Sequence, residues 1–203
     1  GVGAARQALA AVGYGGDKAI FGFGDTGSYV STSNLVNNSG VVADDVTGVG
    51  SARVVLAAAS YGGDKAIFGY GYTGSNVSLT NLVSNSGVVA TDTTGVGTAR
   101  RGLGAASYDL DKAIFGYGET SGIVSLTNLV SSSGVVASDV TGVGTARTDV
   151  EGASYGGDKA IFGYGWTSGI VSMTNLVSSS GVVATDVSGV GTARNSLGAA
   201  GYG

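Results

Sequence analysis

Apolar positions along this chain fall in short runs, each stopped by Gly, Ser, Thr or Asn, and the runs recur in one order at one interval. The phrase DKAIFG starts at Asp17, Asp64, Asp111 and Asp158, 47 residues apart each time, and NLV starts at Asn34, Asn81, Asn128 and Asn175. GVG-x-AR occupies 1–6, 48–53, 95–100, 142–147 and 189–194. A fixed period of roughly 20–50 residues marks a repeat architecture, because one unit cannot bury its apolar faces alone and stacked units can. The chain therefore divides into four units, 7–53, 54–100, 101–147 and 148–194, and a surplus segment, 195–203, that copies the start of a unit.

Inside the second unit the pattern predicts four extended segments. Leu56 to Tyr61 is a run of small residues. Gly62-Gly63 follows, suited to the positive φ of a tight hairpin. Lys65 to Tyr70 is rich in aromatic and β-branched residues, Val77 to Ser84 is the third segment and Val88 to Thr93 the fourth, with the turn Ser84-Asn85-Ser86-Gly87 between them. No stretch carries a 3.6-residue apolar period long enough for an ordinary helix. The chain reads as all-β, and four antiparallel strands per 47-residue repeat predict a β-propeller of four-stranded blades. Small residues in the first strand suit the crowded axis, while Ile67 and Phe68 fill the wider space between sheets. A solenoid of 47-residue coils is the structural rival.

Composition fits close packing on both faces of each sheet. Of 203 residues 39 are Gly, none is Pro, Cys or His, and only 12% are charged, against about 25% in typical domains. No apolar run approaches the roughly 20 residues that span a bilayer, so no membrane partner is expected and the chain is expected to be soluble. No charged-then-apolar leader opens it and it does not begin with Met, which fits a processed product or an excised piece. Without Cys there is no disulfide framework. Each unit repeats an Asp-Lys pair, an Asp before GVG and an Arg; these eight carboxylates and nine cations sum to +1. The net charge of −4 comes from the unrepeated Asp25, Asp44, Asp109, Glu119, Asp149 and Glu151, offset by Arg101. The framework is near neutral and the variation is acidic.

The order AR, small strand, turn, DKAIFGYG, loop, strand, turn, strand, GVGTAR resembles a kelch-type blade, with an Arg ahead of strand one and glycines closing strand two. The wording is also similar to tandem repeats in structural proteins of bacteriophages, marine ones especially. The resemblance covers nearly the whole chain. Two features differ from the kelch pattern: an aromatic splits the glycines after strand two, as in Gly69-Tyr70-Gly71, and strand four lacks its usual Trp. The phage resemblance implies an extracellular or virion-associated protein. The kelch resemblance implies a ligand face built from the loops joining strands two and three and strand four to the next strand one.

The variable positions lie in those loops. After the strand-two glycines comes Asp25, Tyr72, Glu119 or Trp166, and four residues later Tyr29, Asn76, Ile123 or Ile170. After AR comes Gln7, Val54, Arg101, Thr148 or Asn195. Turns in an antiparallel sheet alternate ends, so both groups are expected at one end, where loops on a rigid frame carry recognition. Trp166 and Tyr72 there could stack on a sugar or anchor a protein. The bland alternative is loop tips varying freely, with each ring folded over its neighbour.

Other motifs point to structure. Gly22-x-Gly24-x-x-Gly27 and Gly69-x-Gly71-x-x-Gly74 match a dinucleotide fingerprint but precede no helix, and units three and four reverse the last pair to Ser-Gly. The five arginines of GVG-x-AR are expected to pair with a repeated Asp or cap strand-end carbonyls at unit junctions. Asp109-x-Asp111 and Asp149-x-Glu151 have a spacing seen in Ca²⁺ sites but no ligand-rich loop beyond, so no metal is expected. Asp109-Leu110 replaces Gly-Gly, and this turn is expected to differ from its siblings. Without His or Cys no catalytic residue stands out and no cofactor is expected; the acidic variation disfavours nucleic acid. The expected function is a non-enzymatic structural or adhesive module binding a glycan or protein; the alternative is a purely architectural repeat protein, natural or engineered, that assembles into a ring. Self-association through blade edges or strand donation is expected, with 195–203 cut from a longer array, donated to a partner or folded aside.

Overall fold

Each DKAIFG phrase becomes the middle strand of a sheet. The computed structural model describes residues 3–201, and among these there are twelve strands in four three-stranded antiparallel sheets and no helix. The sheets are β1 (Ala10–Tyr14), β2 (Lys18–Gly22) and β3 (Ser33–Val36); β4 (Ala57–Tyr61), β5 (Lys65–Gly69) and β6 (Thr80–Val83); β7 (Gly104–Tyr108), β8 (Lys112–Gly116) and β9 (Thr127–Val130); and β10 (Glu151–Tyr155), β11 (Lys159–Gly163) and β12 (Thr174–Val177). Register repeats with the sequence: Ala59 faces Ile67 and Ile67 faces Leu82, and the other units follow suit.

The first turn is a three-residue loop, with Gly62 and Gly63 at φ 61° and 77°. The Asp109-Leu110 turn, expected to depart from this, keeps the same hand at φ 49° and 63°. Its neighbours hold it there, because Asp109 N–H donates to Asp158 C=O at 2.8 Å just as Gly62 N–H donates to Asp111 C=O at 2.6 Å. What changes is the side-chain partner: Lys112 binds Asp109 Oδ2 at 2.6 Å, where Lys65 binds Asp64 Oδ1 at 2.7 Å.

The fourth segment, expected as a full strand, joins the third only by isolated bridges such as Val83↔Val89 and Thr80↔Thr93. The two pairs are out of step by one residue, so the segment carries a bulge. Asn81 fills the break, its Nδ2 donating to Ala90 O at 3.0 Å and to Asp92 Oδ1 at 2.9 Å. An apolar side chain at that position would remove this donor from Ala90 O and from Asp92.

Sheets stack through their first strands, β1 on β4, β4 on β7 and β7 on β10. One face of each middle strand meets the opposite face of the next: Phe68 lies edge-on to Phe23 at 5.2 Å and over Gly22, where a Cβ would come within 2.7 Å of its ring. Phe115 and Phe162 repeat this on Tyr70 and Tyr117. In the two inner sheets the middle strands are buried from Ala66 to Gly69 and from Ala113 to Gly116, whereas β2 and β11 alternate, leaving Phe21 and Ile161 partly open on opposite faces. Packing on both faces removes the alternation that a one-sided sheet would show.

First strands of all four units surround a cavity of about 300 Å³, and Leu197 to Ala199 line it as a fifth wall. The surplus segment, described as far as Gly201, is thus docked as the next unit's first strand would be. Gly165 N–H donates to Arg194 C=O at 3.1 Å, matching Gly71 to Arg100 at 3.0 Å.

Candidate functional site

Three variable positions of each unit are brought side by side. Gln7 bridges Asp25 and Asp25 bridges Tyr29; Val54, Tyr72 and Asn76, then Arg101, Glu119 and Ile123, then Thr148, Trp166 and Ile170 repeat the arrangement. Between the second and third member the chain turns tightly, with Thr73 N–H donating to Ser75 C=O at 3.0 Å and equivalent bonds in the other units. All four trios sit at the end of the sheets where the loops from strand two to three and from unit to unit meet.

Exposure divides the set. Tyr29, Trp166 and Ile170 are exposed, and Trp166 leaves 41% of its surface to solvent. Asp25, Tyr72, Asn76, Arg101, Glu119 and Ile123 are half-buried. Val54 and Thr148 are buried and cannot touch a ligand from there; Thr148 Oγ1 donates to Gly102 C=O at 3.3 Å. In these two units they form a floor beneath the loop that each bridges, whereas Arg101 at the same position stays half-buried.

Neighbouring trios also touch. Tyr29 lies edge-on to Tyr72 at 6.3 Å, Arg101 stacks on the Tyr72 ring at 4.8 Å and pairs with Glu119 at 3.5 Å. Asn76 Nδ2 donates to Glu119 and Thr120 carbonyls at 3.0 and 3.1 Å, while its Oδ1 is buried without a partner. The first three units thus share one continuous patch of rings and charges.

Just inside the trios lies the mouth of the central cavity. Ala8, Val55, Gly102, Asp149 and Ser196 all take left-handed φ, from 50° to 63°. Val55 N–H donates to Ala8 C=O at 3.0 Å, Gly102 to Val55 at 3.2 Å and Asp149 to Gly102 at 2.8 Å, a ladder running around the mouth. A left-handed residue costs an ordinary side chain roughly 1–2 kcal/mol, and the ladder holds it there. Asp149 and Glu151 add carboxyls that no other unit has at these positions, beside Leu197. Burial, reinforced by the Asp149 carboxylate, pushes the Glu151 carboxyl up to about 7. Burial and Glu119 also raise Asp149, against a hydrogen bond with Asn195 and the charge of Arg101. Among the described residues no group of three or more His, Cys, Asp or Glu side chains gathers to hold a metal ion.

What fixes the trios is the arginine before each one. Arg53 is fully buried: Nε donates to Tyr70 C=O at 2.9 Å, Nη1 to Ser51 C=O at 3.2 Å and Nη2 to Asn81 Oδ1 at 2.6 Å. Its guanidinium stacks on Phe23 of its own unit at 4.1 Å and lies 3.7 Å from Asp92 of the next. Arg100 and Arg147 repeat the set. Burial pulls Arg53 down to about 10, partly offset by Asp92, so it stays charged at neutral pH. Burial acts upward on Asp92, but bonds from Ser51 and Asn81 together hold it below its ordinary range. The paired Asp and capped carbonyl were legible from the repeated Arg; the ring beneath it and the Asn between them were not, although Asn81 recurs in NLV at a fixed distance.

No protein-family model matches this chain, and no curated protein sequence matches it.

Proposed function

We propose that the protein is a non-enzymatic β-propeller-type module, related in design to the kelch-like repeats it resembles, that binds a glycan or a protein surface at its variable end. The observation that carries this is the trio: in every unit three positions that differ between units are bridged side by side at one end, on a frame whose DKAIFG, NLV and GVG-x-AR phrases recur almost unchanged. Exposed Trp166, Tyr29 and Ile170 offer stacking and apolar surface there. Four sheets set about one cavity, with a fifth wall from 195–201, support a radial array of five positions in which the fifth holds only its inner strand. The likeness to bacteriophage structural repeats makes a virion-associated adhesin the natural setting.

The test is a glycan array and a host-cell binding assay with the full chain. Trp166→Ala and Tyr72→Ala should each lower binding roughly tenfold or more, as anchor aromatics do, with the melting midpoint of Trp166→Ala unchanged. A second reading, a purely architectural repeat protein, is favoured by the way Tyr29, Tyr72 and Arg101 satisfy one another across units, with Arg101 also paired to Glu119 of its own. If the arrays stay silent and the two variants change only stability or solubility, that reading replaces the first.

A further inference from the structure

We propose that the cleft between the first and fourth sheets is a docking site for one unflanked β-segment of this repeat's own type, equivalent to residues 157–188. The inference rests on the radial arrangement above and is independent of any ligand at the variable end.

The chain builds the same interface three times, and the cleft presents its two unmatched halves. In each completed junction a phenylalanine of the following sheet covers a glycine and meets the aromatic after it, as Phe162 does on Gly116 and Tyr117. On the fourth sheet this socket is empty: a Cβ on Gly163 would meet nothing closer than Thr174 Cγ2 at 3.4 Å. On the first sheet the matching knob is uncovered, with Phe21 37% exposed where Phe68, Phe115 and Phe162 are at 0%. Leu176, 41% exposed, and Ile161 complete the bare face of the fourth sheet.

Two more unmet demands lie between these walls. Residues 198–201, Gly-Ala-Ala-Gly, copy the start of β7, Gly-Ala-Ala-Ser, yet form no strand because no second strand stands beside them. Arg194 stacks on Tyr164 at 4.1 Å as its siblings stack, but it is exposed and its guanidinium donates only to Thr192 C=O among the described residues. It lacks the Asn and Asp that the next unit supplies to Arg53, Arg100 and Arg147. One segment with the residues of 157–188 would bring the second strand, the Phe knob, the Asn and the Asp together.

The geometry also decides against an intact second copy. The cleft has two walls, so its occupant must be bare on both faces. Each terminal sheet of another copy has one face already covered by its own neighbour. Only a lone sheet satisfies both walls.

The experiment adds a fluorescein-labelled peptide of residues 157–188 to the full chain and reads anisotropy, hydrogen exchange and small-angle scattering. Saturable one-to-one binding is expected, with the amides of 199–201 gaining roughly tenfold or more protection. Leu176→Glu in the chain, or Phe162→Ser in the peptide, should weaken binding at least about tenfold, the size expected for a central apolar anchor. Absence of binding to a chain whose four sheets remain protected overturns the docking site while leaving the fold reading intact. Binding indifferent to both substitutions overturns it too, as does a dimer without peptide that Phe21→Glu dissolves. A scattering profile of sheets strung out rather than gathered about a channel removes the radial reading and the inference with it.

Discussion

Leu110 stands at φ 63° with its side chain 75% exposed, where its siblings are Gly16, Gly63 and Gly157 at φ 81°, 77° and 79°. The side chain gives nothing to packing and the backbone suffers a left-handed strain, so Leu110→Gly should stabilise the protein. Relief of strain outweighs the extra chain entropy that Gly loses, leaving a net gain of about 0.5–1 kcal/mol. A urea midpoint that rises with unchanged slope is the expected result. Glu151 presents a different cost. Its carboxyl titrates near 7 in the folded chain, above its ordinary value of 4.5, so folding favours the neutral form. That contribution is complete below the unfolded value and is lost as pH rises through the folded one. Stability should therefore decline between about pH 5 and 8, and Glu151→Gln should flatten that slope. Asp92, Asp139 and Asp186 act in the opposite sense, since hydrogen bonds hold them low and their contribution is lost only in stronger acid. A thermal midpoint followed across that range in both proteins checks the assignment.

At the scale of elements, the first three segments of each unit were legible to within a residue or a few, because turn signals bound each one, the runs are too short for a helix, and the second and third carry β-branched or aromatic residues. The pattern predicts Lys65 to Tyr70, and β5 is Lys65–Gly69. The fourth has the same strand-like composition, but Asn81 inserts its amide where a ladder bond would run, and a side chain's choice of partner leaves no mark on periodicity. Nor did the reading of loops separate floor from surface: Val54 and Tyr72 vary alike, yet one is buried beneath the other. The segment 198–201 shows the limit most directly. Nearly the same residues form β7 where a partner strand follows and irregular chain where none does, so strand formation here belongs to the pair of segments.

Over the whole molecule, stability must be graded, since each interface is shared between neighbours and the array has two open ends. In repeat arrays the free energy is roughly a sum of unit terms and nearest-neighbour terms. The second and third sheets each have two covered faces, and their middle strands are buried at every residue after the opening lysine; the first and fourth have one. Three arginine clamps cross the junctions inside the array, each with its stacked ring and carboxylate, while Arg194 at the outer edge has the ring without a carboxylate among the described residues. The terminal sheets should therefore open without the inner ones. Native-state hydrogen exchange should find the amides of β5 and β8 the most protected, with those of β2 and β11 exchanging at least about tenfold faster, a gap of roughly 1.4 kcal/mol in opening free energy. Uniform protection across all four sheets would mean that the ends are tied to each other, which the bare faces of Phe21 and Leu176 argue against.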